Sequence, residues 1–286
     1  MDNRTGFRHR GPAYLADQAR QTLGVAIEPR PLAEIPAPLV HTAFGAAVCA
    51  VAVLIRPETL GLRQSALAST GLALLTAGLL AGYDRLVYPA ASRPSVDSLA
   101  LPVAAVAAFA TVLAGVPQLG VRIAAGFVAA LVIGGVPQLI GRQVAGYEGW
   151  AHRLLRDVAG VAVLAPVLVA GASPVLPALP RFALVAAVAL LVSFDTMRTE
   201  LLGGIRALPI AGVIGALVGG ASYLAGTSTT NAGIRAAVLL VLWYGLRGVG
   251  GALGAGDLRR SAIIVAEYAA FVVLAAGALR WVVLNS

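Results

Sequence analysis

Ser193-Phe-Asp-Thr-Met-Arg-Thr-Glu-Leu-Leu-Gly-Gly-Ile-Arg-Ala-Leu-Pro-Ile210 sets Asp195, Arg198, Glu200 and Arg206 in one short connector. Apolar runs flank it, residues 176–194 before and 207–226 after. Runs of about 20 apolar residues match the length of helix that crosses a hydrocarbon layer about 30 Å thick. A charged connector between two such runs is the signature of a polytopic membrane protein. Charges in these surroundings cost free energy unless they are paired, hydrated or used. The same stretch therefore decides the fold and marks the first place to look for chemistry.

Working outward, the pattern repeats along the chain. The sequence has 286 residues, of which 59% are hydrophobic and only 12% charged, with a mean hydropathy of +0.86. Soluble domains carry about 25% charged residues, so a soluble fold is excluded. Nine spans are expected, at residues 37–55, 65–82, 98–116, 123–140, 158–172, 176–194, 207–226, 234–253 and 261–283. The fifth is short and interrupted by Pro166, and the sixth has Pro177 and Pro180 near one end. The expected fold class is all-α, a polytopic bundle of about nine transmembrane helices. Residues 1–36 form a polar cytoplasmic segment and residues 37–286 the transmembrane domain.

The net charge is +8 and the pI near 10.5, yet nucleic acid is not the implied partner. All 21 basic residues are arginine, and most sit between apolar runs. That placement points to anionic lipid headgroups and to topology. With the N-terminus inside, fifteen arginines fall on inner segments. The other six, Arg56, Arg63, Arg122, Arg181, Arg235 and Arg280, fall outside. This bias predicts nine spans with a cytoplasmic N-terminus, in the cell (inner) membrane.

Residues 1–36 hold five arginines and no apolar core, so no cleavable signal is expected there and the first span acts as the insertion signal. Leu15, Ala19 and Leu23 recur at helical spacing, which fits a short surface helix over 14–26 or an unstructured segment. Cys49, the single cysteine, reads as a small buried hydrophobe and can form no intrachain disulfide. Gly115-Val-Pro-Gln-Leu119 recurs as Gly135-Val-Pro-Gln-Leu139, at opposite ends of the fourth span. Gly78/Gly82, Gly215/Gly219 and Gly250/Gly254 are GxxxG pairs, which permit close helix approach.

Several chemistries find no pattern in this sequence. His9, His41 and His152 are too scattered for a zinc or haem site, and there is no phosphate-binding loop or dinucleotide fingerprint. The acids instead gather on the inner connectors: Asp84 and Asp97, Glu148 and Asp157, Asp195 and Glu200, then Asp257. An active site, if there is one, should open on that side. Away from the ends of the spans, only Arg247 and Glu267 are expected to lie as charged groups within the membrane. Each lies about six positions from the inner surface, or about 9 Å deep, and the two are expected to face each other as an intramembrane ion pair. A role for that pair in moving a proton or substrate is the alternative.

The connector resembles the second acidic motif of the UbiA-type membrane prenyltransferases, which lies between their sixth and seventh spans. The family often reads acid-x-x-x-acid followed by Gly-Ile-Arg-Thr-Leu-Pro. Here Glu200 stands at the last acid, followed by Gly204-Ile-Arg-Ala-Leu-Pro209. The first family motif is similar to Tyr83-Asp-Arg-Leu-Val-Tyr-Pro-Ala-Ala-Ser-Arg-Pro94, in its Asp84-Arg85 and Arg93-Pro94. Leu80, Ala81, Tyr88 and Thr196 depart from it, each standing where the family has Asn or an acid.

The resemblance implies a divergent protein that binds or transfers an isoprenoid chain. It would take an isoprenoid diphosphate as ligand. Asp84, Asp195 and Glu200 would be the catalytic carboxylates holding Mg²⁺, and Arg85, Arg93, Arg198 and Arg206 would bind the diphosphate. The same charges also read as interfacial groups, with Asp195 and Arg198 paired at i,i+3 on a helix. Two other classes stand beside this one: a non-enzymatic structural membrane protein or subunit of a membrane complex, and a small-molecule transporter. Membrane lipids are partners under all three.

Overall fold

The computed structural model describes residues 62–87, 99–114, 150–172, 177–197, 207–254 and 258–284, with a few positions at 46–50 and 118–124. Seven helices lie in these segments. They are α1 (Leu62–Val87), α2 (Ala100–Ala114), α3 (Trp150–Ala172), α4 (Ala178–Met197), α5 (Leu208–Ala225), α6 (Ala232–Gly254) and α7 (Leu258–Leu284). Among the described residues all regular structure is helical. Four helices are long and apolar enough to cross a membrane: α4, α5, α6 and the Ala262–Leu284 part of α7. Shorter apolar stretches, Thr70–Tyr83 and Ala100–Ala110, lie in α1 and α2. This is the make-up of an integral membrane protein. Most of the expected first and fourth spans, Cys49 and the segment 1–36 lie outside the described residues.

Local sequence explains where the helices stop and start. Pro209 falls in the first turn of α5, where a missing N–H breaks no hydrogen bond. Gly226 closes α5, its N–H donating to Ser222 O at 3.0 Å. The turn to α6 is tied at both ends: Ser228 N–H donates to Ala225 O (3.2 Å), and Gly233 N–H to Asn231 Oδ1 (2.7 Å). That asparagine oxygen does the work of an N-cap for α6.

The expected fifth span differs from the helix found. Helix α3 begins at Trp150, well before residue 158, and runs through Pro166 to Ala172. A proline inside a helix removes one backbone hydrogen bond, and in packed membrane helices neighbours re-satisfy the freed carbonyl. The longer α3 brings Arg156 and Asp157 into the bundle as helical residues.

Helices α3 and α4 form the middle of the bundle. Each packs on α2, on α5 and on α6, and on the other. Helix α1 lies on α2, and α7 lies mainly on α6. The core is made by Val163, Leu164 and Val167 of α3, Val185 and Val188 of α4, and Val218, Leu239 and Trp243 from α5 and α6. Helix α2 contributes Ala104, Ala105 and Ala108, all fully buried, so its backbone comes close to its neighbours. Large apolar side chains also point outward, among them Val213, Leu217, Val273 and Leu274. In lipid this costs nothing, and close packing of small residues replaces hydrophobic burial as the force holding helices together.

Candidate functional site

Successive helices α3 to α7 alternate in direction, so the start of α3 and the ends of α4 and α6 meet at one end of the bundle. Here Arg156 Nε lies 3.4 Å from Asp195 Oδ2, with both side chains almost fully buried. Next to it, Arg247 Nη2 lies 2.7 Å from Asp157 Oδ1. The Arg247 guanidinium carbon is also 5.7 Å from the centroid of the Trp243 ring, in cation–π range. The indole N–H of Trp243 donates to Ser193 Oγ at 2.9 Å. Thr196 turns its hydroxyl back to the α4 carbonyls of Ser193 (2.9 Å) and Val192 (3.2 Å). Two cations and two anions thus balance one another inside the bundle, joined by a buried tryptophan.

The sequence expectations distribute unevenly over this geometry. Asp195 is brought into the cluster, where Arg156 of α3 is one of its partners. Asp84 and Arg85 lie in the last turn of α1, with Arg85 exposed. Arg93, Arg198, Glu200 and Arg206, and the side chain of Asp84, lie outside the described residues. Arg247 is buried on α6 and takes Asp157 as a partner. Glu267 is exposed on α7, and it and Arg247 both lie near enough to act on the phenol of Tyr268. That ring packs at 5.6 Å from Tyr244 and 6.4 Å from Phe271, an aromatic seam between α6 and α7.

Sequence reasoning missed Arg156, Asp157, Ser193 and Trp243 as members of the cluster. The signal for the first two was their place on the helical face just ahead of an apolar run. Taking the helix to begin at residue 158 left them in a connector.

Of the three carboxylates expected to hold Mg²⁺, the described residues place the side chain of Asp195 alone; Glu200 and the side chain of Asp84 lie outside them. Asp195 supplies one carboxylate, and that carboxylate is buried against a guanidinium. A Mg²⁺ site needs oxygen donors at near-octahedral geometry with room for several waters. No group of three or more His, Cys, Asp or Glu side chains comes together among the described residues.

The opposite end of the bundle carries a different arrangement. Arg235, one turn into α6, is buried, and its Nη1 donates to Ala225 O and Ser228 O, both at 2.8 Å. It thereby caps the C-terminus of α5, where the helix dipole favours a cation. Ser228 is buried too, and donates to Val282 O of α7 at 2.9 Å. Arg181, one turn into α4, is buried with its guanidinium laid against Gly226. Any side chain at position 226 would collide with it. Comparison with protein-family models, with curated proteins and with solved structures finds no match for the chain.

Proposed function

We propose that this chain acts as a non-enzymatic integral membrane protein, a structural component or subunit of a membrane assembly. The Arg156–Asp195 contact carries this reading. One of the three acids that metal-dependent transfer would use, Asp195, is 2% exposed and lies against an arginine from a neighbouring helix. A carboxylate so placed acts as an internal clamp between α3 and α4.

A second reading rests on the resemblance of residues 193–210 and 83–94 to UbiA-type motifs. In it the protein binds, or with Mg²⁺ transfers, an isoprenoid diphosphate at the end of the bundle where α4 stops and α5 begins. The observation in its favour is that Asp195 and Pro209 both fall at that end of the bundle. The arginines Arg85, Arg93, Arg198 and Arg206 would meet the diphosphate there. A transporter would need charged or broken helices at the midplane, and the described charges favour the helix ends.

The two readings part in one experiment on the purified chain in detergent. Thermal unfolding is followed with prenyl diphosphates of several chain lengths, with and without Mg²⁺. A ligand that binds only the folded state raises the melting temperature by mass action. The non-enzymatic reading expects no shift, together with a large loss of stability in Asp195→Ala. A Mg²⁺-dependent rise that disappears in Asp195→Ala and Glu200→Ala would replace it with the isoprenoid reading.

A further inference from the structure

We propose that the outward face of α7 docks a transmembrane helix of another membrane protein, and that Glu267 receives a lysine or arginine placed at the same depth in that helix. The proposal deepens the reading of the chain as a subunit of a membrane assembly and rests on it. Its test involves no prenyl diphosphate, so either can fail alone.

Helix α7 is the most apolar of the four membrane-crossing helices and the least enclosed. Of its apolar stretch 6% is buried, against 44% in α4 and α5 and 50% in α6. Among the described helices it packs mainly on α6. Ile263, Glu267, Ala270, Leu274, Gly277 and Trp281 recur at alternating intervals of four and three, and every one is exposed. That spacing forms one continuous stripe along which a second helix packs at a small crossing angle. Ala270 and Gly277 keep the stripe shallow enough for close approach. A Cβ on Gly277 would meet nothing within 4 Å among the described residues.

Glu267 decides what the second helix carries. It stands about one and a half turns past Ala262, where the apolar part of α7 begins, or about 8 Å along the axis. Charged residues at such depth almost always face a bundle interior and pair there. Arg247 does so with Asp157. Glu267 instead lies on the exposed stripe. Long basic side chains can carry their charge back to the headgroups, but the short stem of a glutamate reaches little of that distance. A carboxylate on a packing stripe is therefore matched by a cation brought in with the packing helix. A second copy of this chain does not supply it, because a parallel two-fold pair would set Glu267 against Glu267. The expected first and fourth spans, residues 37–55 and 123–140, contain no arginine or lysine. The occupant is a span of a different protein, with a basic residue on its contact face.

The test uses the full chain in cell membranes, carrying Cys49→Ser and Ala270→Cys, the latter one turn from Glu267 on the same stripe. The probe is a co-expressed designed single span of leucine and alanine. It has one lysine about six positions from its cytoplasmic end and one cysteine a turn deeper. Control probes carry leucine or glutamate in place of the lysine. Oxidation should cross-link the lysine probe at least about fivefold more than either control. That excess should vanish in Glu267→Gln, and Glu267→Lys should transfer it to the glutamate probe. Ala270 and Glu267 are both exposed, so neither substitution disturbs the packed core. Equal or absent cross-linking of the three probes overturns the proposal, as does an excess that survives Glu267→Gln. A disulfide between two copies of the Ala270→Cys chain, in place of one with the lysine probe, assigns the stripe to self-association and overturns it too. If Ala270→Cys reacts with no probe and with no membrane-permeant maleimide, the chain itself covers the stripe, and the proposal is likewise overturned.

Discussion

Asp195 shows how a single charge is made tolerable in this bundle. Its carboxylate and the Arg156 guanidinium are almost fully buried, so neither is solvated if the other is lost. Removing one partner of such a pair typically costs about 3–5 kcal/mol, whereas replacing both by apolar groups is often close to neutral. Asp195→Ala is therefore expected to destabilise by about that amount, and Arg156→Met with Asp195→Leu to recover most of it. Reversible unfolding in mixed micelles measures both, and a loss below about 1 kcal/mol in the single variant would mean that water reaches the pair. A smaller effect is expected at Ser193. Its hydroxyl accepts the only described hydrogen bond of the fully buried Trp243 indole. Ser193→Ala should cost about 1–3 kcal/mol and shift the tryptophan fluorescence, because a buried donor is left unpaired. That Asp195 needed a partner was legible in the sequence from its apolar surroundings. That Arg156 would be a partner was not, since it comes from another helix far away in sequence.

Helix pairs carry the next level of the argument. Three GxxxG pairs look alike as sequence, yet their environments differ. A Cβ on Gly215 would sit 2.6 Å from Ala186 O of α4 and 2.9 Å from Leu190 Cβ. A Cβ on Gly78 or Gly82 would meet nothing within 4 Å among the described residues. The backbone carbonyl cannot yield as a side chain can, so Gly215→Ala must push α4 and α5 apart. A cost of about 1–3 kcal/mol is expected, the range for overpacking. Gly78→Ala meets no described atom in the helix interior and should be neutral or stabilising by up to about 1 kcal/mol. Unfolding of the two variants side by side checks this, and equal effects would mean that α4 and α5 are not in close contact. The same comparison explains what the chain reveals on reading. Apolar length and turn residues give the existence of α4, α5, α6 and α7 within a few residues. The face each glycine presents depends on a neighbour far away in sequence, as does the seat of Tyr268 over Gly248. Pro166 misleads for a related reason: its effect depends on packing partners that the local sequence does not name.

Across helices α3 to α7, the described arginines gather toward the two ends of the bundle, while Glu267 lies part-way along α7. One end holds balanced pairs, Arg156 with Asp195 and Arg247 with Asp157. The other holds the buried Arg181 and Arg235. This sorting bears on orientation, because topology follows the arginines on connectors and helix ends. Two of the six arginines assigned outside are these buried ones, held by the bundle instead of facing solvent. Their burial sharpens the bias, since the exposed outer face then carries less positive charge than the count suggests. The end with Arg181 and Arg235 is accordingly expected to face away from the cytoplasm. Cysteine labelling tests it once Cys49→Ser removes the native thiol. Thr229→Cys lies exposed in the turn between α5 and α6, and Leu154→Cys lies exposed near the start of α3 at the opposite end. A membrane-impermeant maleimide should label Thr229→Cys in intact cells and Leu154→Cys only after permeabilisation. The reverse pattern would invert the bundle, place the Asp195 end outside, and remove the cytoplasmic access that the isoprenoid reading requires. Labelling of both from one side would contradict the alternation of helices α3 to α6, because the two positions would then share a face.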